Sequence, residues 1–414
     1  MGLNRIVSIS IANTFLRLLV TFSKFTLLIY IAKYFSTEEL GVYGLFTTSI
    51  TLGVILLGVD FYNFSLREIV KDKTNAPKYL YNQFIFHCIV YLLSIPATLL
   101  LFSFKILPTS YLGYFFAILI LEHLSQEFYR LYTVLQKPTL ANTLLFIRAG
   151  LWVYLVISLW SFKLCPKTLS TIWLMWLIGA FTSVVISIVK LSKLKLLRKE
   201  HLDWKWIKRG AKTGLLFFAG TLCYKVIEFS DRYMIDAFLS KVDVGIYTFY
   251  VNIANLINTI VFASVIMLYY PRLLESITKD GNEYKMIVKK FSSLTLILSI
   301  LSAFALQILI HPLIFIINKV EFLENIEVFY TMLIANIFLN LSFVPHYILY
   351  AAQRDKIIAY STAIASLVNI FLNILLIKKL GILGAAISTL VSFIIIAAIK
   401  GFWGVKLEKY TGVL

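Results

Sequence analysis

The sequence predicts an all-α integral membrane protein with about twelve transmembrane helices. Three observations carry that expectation. Of 414 residues, 60% are hydrophobic and only 14% charged, and the mean hydropathy is +0.85. A water-facing surface needs nearer a quarter of its residues charged, so lipid has to be the main solvent. Apolar runs of about 20 residues, the length that crosses a bilayer, recur along the whole chain. Between them, Lys and Arg crowd into alternate connections, as they do when those connections stay on the cytoplasmic side.

The runs lie near residues 7–33, 41–65, 79–104, 111–135, 140–162 and 170–192, and then near 211–238, 244–270, 288–311, 327–350, 357–377 and 383–404. In hydrocarbon each backbone group must be paired within its own segment, so runs of this length are helices. The first run carries Arg17 and Lys24 and no small-residue cleavage site follows it, which makes it a retained helix rather than a signal peptide. An even number of spans puts both termini in the cytoplasm. The net charge of +18 is then mostly topological and adds attraction to anionic membrane lipid. No separate basic domain exists to bind nucleic acid. Cys88, Cys165 and Cys223 are far apart and odd in number, so they give neither a disulfide framework nor a metal site.

The chain also repeats itself at half its length. Residues 34–43 read YFSTEELGVY and residues 238–247 read FLSKVDVGIY, so Ser36, Gly41 and Tyr43 recur as Ser240, Gly245 and Tyr247. Each segment follows the first helix of a six-helix block. Gln136 and Gln353 sit in a weaker echo, LQKPTLAN against AQRDKIIA. Blocks of six begin on the same side of the membrane, which gives parallel repeats about an axis along the membrane normal. The expected organisation is a lobe at 1–192, a basic cytoplasmic linker at 193–207 and a lobe at 208–414. The stretch 190–212 holds nine basic residues with Trp204 and Trp206, the pattern of an amphipathic segment on the inner leaflet.

Several segments resemble the polysaccharide and O-antigen flippases (Wzx-type) of the multidrug/oligosaccharidyl-lipid/polysaccharide exporter superfamily. One is FSTEELGVYGLFTTSITLGVILLGVDFYNFSLREIV, with Gly41, Tyr43, Gly58, Asp60, Arg67 and Glu68. Another is EFSDRYMIDAFLSKVDVGIY, with Asp231, Arg232, Tyr233 and Met234, and a third is Pro271-Arg272-Leu273. The resemblance covers nearly the whole chain. It implies two six-helix lobes around a central cavity that opens alternately to each side of a bacterial inner membrane.

Charges inside the runs are the candidate site. An ionised side chain facing lipid at a helix centre costs roughly 2.5–3.5 kcal/mol on insertion scales. Arg17, Lys24, Arg148, Lys225 and Arg232 are expected to line the cavity and bind substrate. Arg17 and Lys24 stand seven residues apart, on one face of a helix without an acid. Glu122, Glu127, Glu228, Asp231 and Asp236 are candidates for cation coupling or for structural ion pairs. By spacing, Glu127 can pair with Arg130, and Glu228 with Arg232. His87, His123, His311 and His346 lack metal-ligand spacing and read as core or interface residues.

The expected substrate is a polyprenyl-pyrophosphate-linked oligosaccharide, moved from the cytoplasmic to the outer leaflet for polysaccharide or lipopolysaccharide assembly. Membrane lipids are its surroundings and a polysaccharide polymerase a candidate partner. A stripped sugar hydroxyl costs about 4–8 kcal/mol on a cyclohexane scale and a phosphate far more, so a polar path is needed. No bond changes, and no catalytic motif, cofactor or metal site is expected. The alternative is a cation-coupled multidrug exporter of the same superfamily, whose cationic cargo favours a net acidic cavity.

Overall fold

The structure, a computed structural model, describes residues 3–276 and 281–411, and among these every regular element is helical. The long helices in chain order are α1 (Leu3–Tyr34), α2 (Thr37–Gly58), α3 (Ala76–Ser103), α4 (Leu112–Val134), α5 (Pro138–Ser161) and α6 (Leu169–Lys193), followed by α7 (Trp204–Phe238), α8 (Lys241–Ser276), α9 (Gly281–Ile317), α10 (Ile326–Ala351), α11 (Asp355–Leu380) and α12 (Ile382–Thr411). Ten of them are long and apolar enough to cross a membrane. The two others, α4 and α7, have the length but carry Glu122, Glu127 and Arg130, or Lys225, Glu228, Asp231, Arg232 and Asp236. The charge that lowers their hydropathy includes all five acidic candidates.

Three departures from the sequence expectation bear on the candidate site and its connections. Helix α2 stops at Gly58, and a separate short helix at Tyr62–Lys71 takes over after a turn. Helix α7 starts at Trp204, inside the basic stretch. Helix α9 continues through Pro312 to Ile317, so the next connection shrinks to residues 318–325, with one turn of helix at Val320–Glu324.

The chain divides into two compact units, one of Met1–Phe35 with Leu45–Ala219 and one of Ser36–Gly44 with Gly220–Leu414. In the first unit α1 packs on α5, α4 on both α5 and α6, and the short helix at Tyr62–Lys71 on α3 and α4. In the second, α12 packs along α10 and α11, and α9 along α10 and the end of α8. Small and polar side chains let α11 and α12 approach closely: Ser361, Ala365 and Ser366 are buried on one, Ala385, Ser388 and Ser392 on the other. Large apolar side chains such as Leu93, Phe104 and Phe315 point outward, as a lipid-facing surface requires.

The basic stretch is bolted to the first unit. Asp203 caps α7 by accepting from the Trp206 N–H at 3.0 Å, and it receives Lys78 Nζ at 3.0 Å. Asn82 ties the same turn twice, accepting from the Asp203 N–H and donating to the His201 carbonyl. Trp206 is buried and stacks on Tyr79, while Trp204 stays half exposed. The Trp206 amide and Lys78 hold the Asp203 carboxyl below its ordinary value. That contribution is present above about pH 4 and fades as the pH falls through the depressed value.

The repeated turn has a physical reason at each of its positions. Ser36 accepts from the Glu39 N–H at 3.1 Å while the Ser36 N–H donates to the Glu39 carboxylate at 2.9 Å. That is a capping box on α2. Ser240 and Asp243 start α8 in the same manner, with the Ser240 hydroxyl accepting from the Asp243 N–H and donating to its carboxylate. The glycines then meet. A Cβ on Gly41 would lie 1.9 Å from the Lys241 carbonyl oxygen, and one on Gly245 would lie 2.1 Å from the Thr37 carbonyl oxygen. Lys241 and Thr37 each precede the opposite glycine by four residues, so the contact is reciprocal, as in a local twofold crossing. The weaker echo is also structural: Gln136 and Gln353 both take a left-handed conformation (φ 59° and 55°) that ends a helix.

Backbone cannot yield as a flexible side chain can. Gly41→Ala or Gly245→Ala should therefore destabilise the purified protein by about 3 kcal/mol, the upper range for overpacking. Thermal unfolding in detergent should show a Tm several degrees lower. Gly113→Ala, where a Cβ meets nothing within 4 Å, should leave Tm unchanged.

Candidate functional site

The first unit holds a basic surface with one neutralised pair beside it. Arg17, exposed on α1, donates from Nε to Asn142 Oδ1 and from a terminal nitrogen to the Tyr129 hydroxyl, both at 2.9 Å. Both partners are neutral, so its charge stays uncompensated while its planar fork is fixed in direction. Lys24, two turns on, is also exposed and makes no ion pair among the described residues, with Glu122 and Arg148 in electrostatic range. Arg148 meets the Glu122 carboxylate at 3.3 Å, and Trp176 on α6 donates to the other Glu122 oxygen at 2.7 Å. Both charged side chains of that pair are 13% exposed.

Local structure explains how Arg148 gets there. Residues Ile147–Leu151 form a π-turn inside α5, a feature that adds a residue to one turn and rotates the side chains beyond it. The Trp152 indole donates to the Arg148 carbonyl at 2.9 Å, and Gly150 lies against Phe146 and Ser23. Sequence periodicity gives no warning of a π-turn. The neutral partners Tyr129, Asn142 and Trp176 were likewise invisible, because nothing in a single sequence ties them to Arg17 or Glu122.

In the second unit three of the candidate charges are spent in local ion pairs. Lys225 pairs with Glu228 at 2.6 Å, and Lys241 with Asp236 at 2.8 Å. The expected Glu228–Arg232 carboxylate pair does not form, because Glu228 is taken by Lys225. Buried Arg232 donates instead to the Glu228 carbonyl at 3.1 Å, leaving its Nε without a partner. Lys225 is neutralised and Arg232 is buried, so neither matches the open, uncompensated character of Arg17 and Lys24.

Asp231, 2% exposed, is caged instead. Its carboxylate accepts from Asn373 on α11 at 2.7 Å, from Thr389 on α12 at 2.6 Å and from the Tyr247 hydroxyl on α8. Asn373 also donates to Asn369 Oδ1, which receives the Ser230 hydroxyl, each at 3.1 Å. Of the five candidate acids, only Asp231 lacks an ion pair among the described residues; Glu127 is held by Arg130 at 2.5 Å, as its spacing predicts. Asn373 Oδ1 is buried without a partner. The cluster is oxygen-rich, and among the described residues no three His, Cys, Asp or Glu gather as a transition-metal site would need.

Comparison with known proteins bears on the family and the fold. A family model described as polysaccharide biosynthesis protein matches residues 9–277, and one described as lipid II flippase MurJ matches residues 150–406. No curated protein matches the chain. Among solved structures, an inward-facing multidrug resistance MATE family transporter of the MOP superfamily aligns with a TM-score of 0.75 at 12% identity, covering 95% of this chain and 96% of that one. Lipid II flippase MurJ in an inward closed conformation aligns with a TM-score of 0.75 at 18% identity, covering 97% and 87%. A mutant of the Vibrio cholerae MATE transporter VcmN aligns with a TM-score of 0.56 at 13% identity, covering 98% and 99%.

Removing one member of a buried ion pair strands the other, which costs about 3–5 kcal/mol, whereas removing both avoids that penalty. Arg148→Gln should thus lower thermal stability strongly. Adding Glu122→Gln to it should restore most of the loss, a non-additivity that a double-mutant cycle of melting curves measures directly.

Proposed function

The chain belongs to the polysaccharide biosynthesis protein family of the MOP superfamily, whose flippases are transporters and not enzymes, and from that premise we propose that it moves a polyprenyl-pyrophosphate-linked oligosaccharide across the bacterial inner membrane. The observation that carries this reading is the uncompensated charge of Arg17 and Lys24 beside the neutral Glu122–Arg148 pair. A pyrophosphate is a dianion or more, and Arg presents it with a planar fork while Lys offers a point charge. Tyr129 and Asn142 hold the Arg17 fork in one orientation, so little rotamer freedom is lost on binding. The glycan head needs only a wet polar path, and the polyprenyl tail can stay in lipid throughout.

The crowding of Lys and Arg into alternate connections supports cytoplasmic termini, hence loading from the cytoplasmic leaflet and release at the outer one. The O-antigen or a similar repeat unit is the cargo that the resemblance favours. Asp231 is the coupling site. A carboxylate, amide and hydroxyl oxygens suit a hard monovalent cation, and no basic side chain occupies the carboxylate. The cluster joins α7, α8, α11 and α12, so a bound cation alters how four helices are held. A multidrug exporter would need the reverse electrostatics, with uncompensated acid facing a cationic drug.

Proteoliposomes that hold a lipid-linked oligosaccharide test the reading, with an added glycan-modifying enzyme reporting the exposed fraction. Arg17→Ala should slow flipping about ten- to a hundredfold, the loss of one charge-assisted hydrogen bond of about 1.5–3 kcal/mol, with melting temperature unchanged. Arg17→Lys should recover part of the rate. Asp231→Asn should abolish the dependence of rate on an imposed cation gradient. Export of cationic drugs without movement of the glycan lipid would instead establish the multidrug reading.

A further inference from the structure

The polar end of the first unit, which the cargo reading does not use, is built from two elements far apart in sequence. One is the helix at Tyr62–Lys71 with the turn after it, and the other is the basic stretch 190–212. An aromatic seam joins them. The Trp206 ring centroid lies 5.5 Å from that of Phe61 and 5.1 Å from that of Phe64, and a Cβ on Gly210 would stand 2.6 Å from both phenylalanine rings. Arg209 crosses the seam to Glu68 at 3.2 Å. With Asp203 receiving Lys78, the basic stretch is held against the unit at both faces of the turn.

Burial sorts the side chains of this surface. Phe61, Phe64, Trp206 and Ile207 are buried, whereas Leu194, Leu197 and Trp204 stay exposed among exposed lysines. Residues 67–78 and 190–212 hold thirteen Lys and Arg against four acids, and each acid is already engaged. Glu68 is held by Arg209 and Lys71, Asp72 by Thr74 and Asn75, Glu200 by Arg198, and Asp203 by Lys78. Arg67, Lys73, Lys195, Lys199, Lys208 and Lys212 are exposed and make no ion pair among the described residues. On α7, Trp204, Lys208 and Lys212 stand four residues apart on one face, and exposed Leu215 and Phe217 follow them. Arg67 lies 5.4 Å over the Phe217 ring, which links the short helix to this stripe. Basic and apolar side chains that alternate beside a lipid-facing helix suit the headgroup layer, where the surplus charge meets anionic phosphate.

We propose that the Tyr62–Lys71 helix and the 190–212 stretch together form a binding surface for the headgroups of anionic phospholipids. The lysines attract several phosphates at once, and Leu194, Leu197 and Trp204 enter the headgroup layer between them. Exposed apolar side chains have nothing to enter on a nucleic acid, so the lipid surface is the better match. Because the aromatic seam fixes the two elements to each other, bound headgroups meet a preformed surface and little chain freedom is lost. The surface draws on none of the residues assigned to the cargo.

Fluorescence quenching on the full chain in nanodiscs of phosphatidylcholine and phosphatidylglycerol reads the surface without any transport step. One lipid or the other carries bromine high on its acyl chains, and the Trp204 signal is isolated as the difference from Trp204→Phe. Phosphatidylglycerol should be enriched beside Trp204 at least about threefold at ~0.01 M salt, and the enrichment should vanish at ~1 M, where charges are screened within ~3 Å. Combining Lys195→Gln, Lys199→Gln, Lys208→Gln and Lys212→Gln should remove the enrichment with Tm unchanged, whereas Arg at the same four positions should keep it. Equal quenching by both lipids at low salt, or an enrichment that survives the fourfold Gln variant, would overturn the proposal. So would inorganic phosphate that displaces the lipid more strongly than chloride at equal ionic strength, the mark of a discrete phosphate pocket. No cargo takes part in this measurement, so its failure and a failure of glycan flipping in the reconstituted assay are separable.

Discussion

A formal charge inside hydrocarbon must be given a partner, a hydrogen-bonding cage or a ligand, and that requirement organises this protein. Among the charges of the long helices, three kinds can be set apart. Glu122 with Arg148, Glu127 with Arg130, Lys225 with Glu228 and Lys241 with Asp236 are neutralised within their own units. Asp231 has a cage of neutral donors instead of a counter-charge. Arg17 and Lys24 make no ion pair among the described residues and remain exposed, Arg17 with two neutral acceptors. The first kind holds helices in register, since a broken pair would strand its survivor. The second and third have no counter-charge among the described residues.

Much of the architecture was legible because hydrocarbon leaves few choices. Twelve runs of spanning length could only be helices, and both ends agree with the structure to within a few residues at α3 to α6, α10 and α11. Helices α7, α8, α9 and α12 overshoot their runs for a common reason. Apolarity marks where lipid ends, whereas helices continue past it while their backbone groups can still pair, as α7 does into the basic stretch and α9 past Pro312. Helix α2 falls short instead, because positive φ at Val59 and Asp60 breaks it inside an apolar run. The i, i+3 pair of Glu127 and Arg130 was also readable, since both residues lie on one helix. Glu228 misled because two bases compete for it, Lys225 three residues before and Arg232 four residues after.

The candidate site was less legible for a different reason. Which residues carry charge is a matter of composition, and those were identified. Which of them remain uncompensated depends on contacts between helices far apart in sequence, such as Arg148 with Glu122 or Thr389 with Asp231. A π-turn at Ile147–Leu151 further shifts the facing of Arg148 relative to any regular helical wheel. The histidines show the same limit. Spacing pointed to the core for His87 and His123, but could not reveal that they touch or that each keeps an unpaired nitrogen.

The internal repeat separates what packing demands from what chemistry uses. At an offset of 204 residues the capping serines and their acids recur, as do the two glycines, because both helix starts need the same cap and the crossing tolerates no Cβ on either side. Other positions at the same offset diverge in kind. Asp231 corresponds to Leu27, which is buried, and Glu228 corresponds to Lys24. Tyr247, the partner of Asp231, keeps its counterpart in Tyr43, so the tyrosine is common to both halves while the acid belongs to one. A duplicated frame thus carries two different electrostatic endowments, a basic face in the first unit and a caged carboxylate in the second. Divergence of this kind changes the electrostatics of each unit without altering the turn that both inherit.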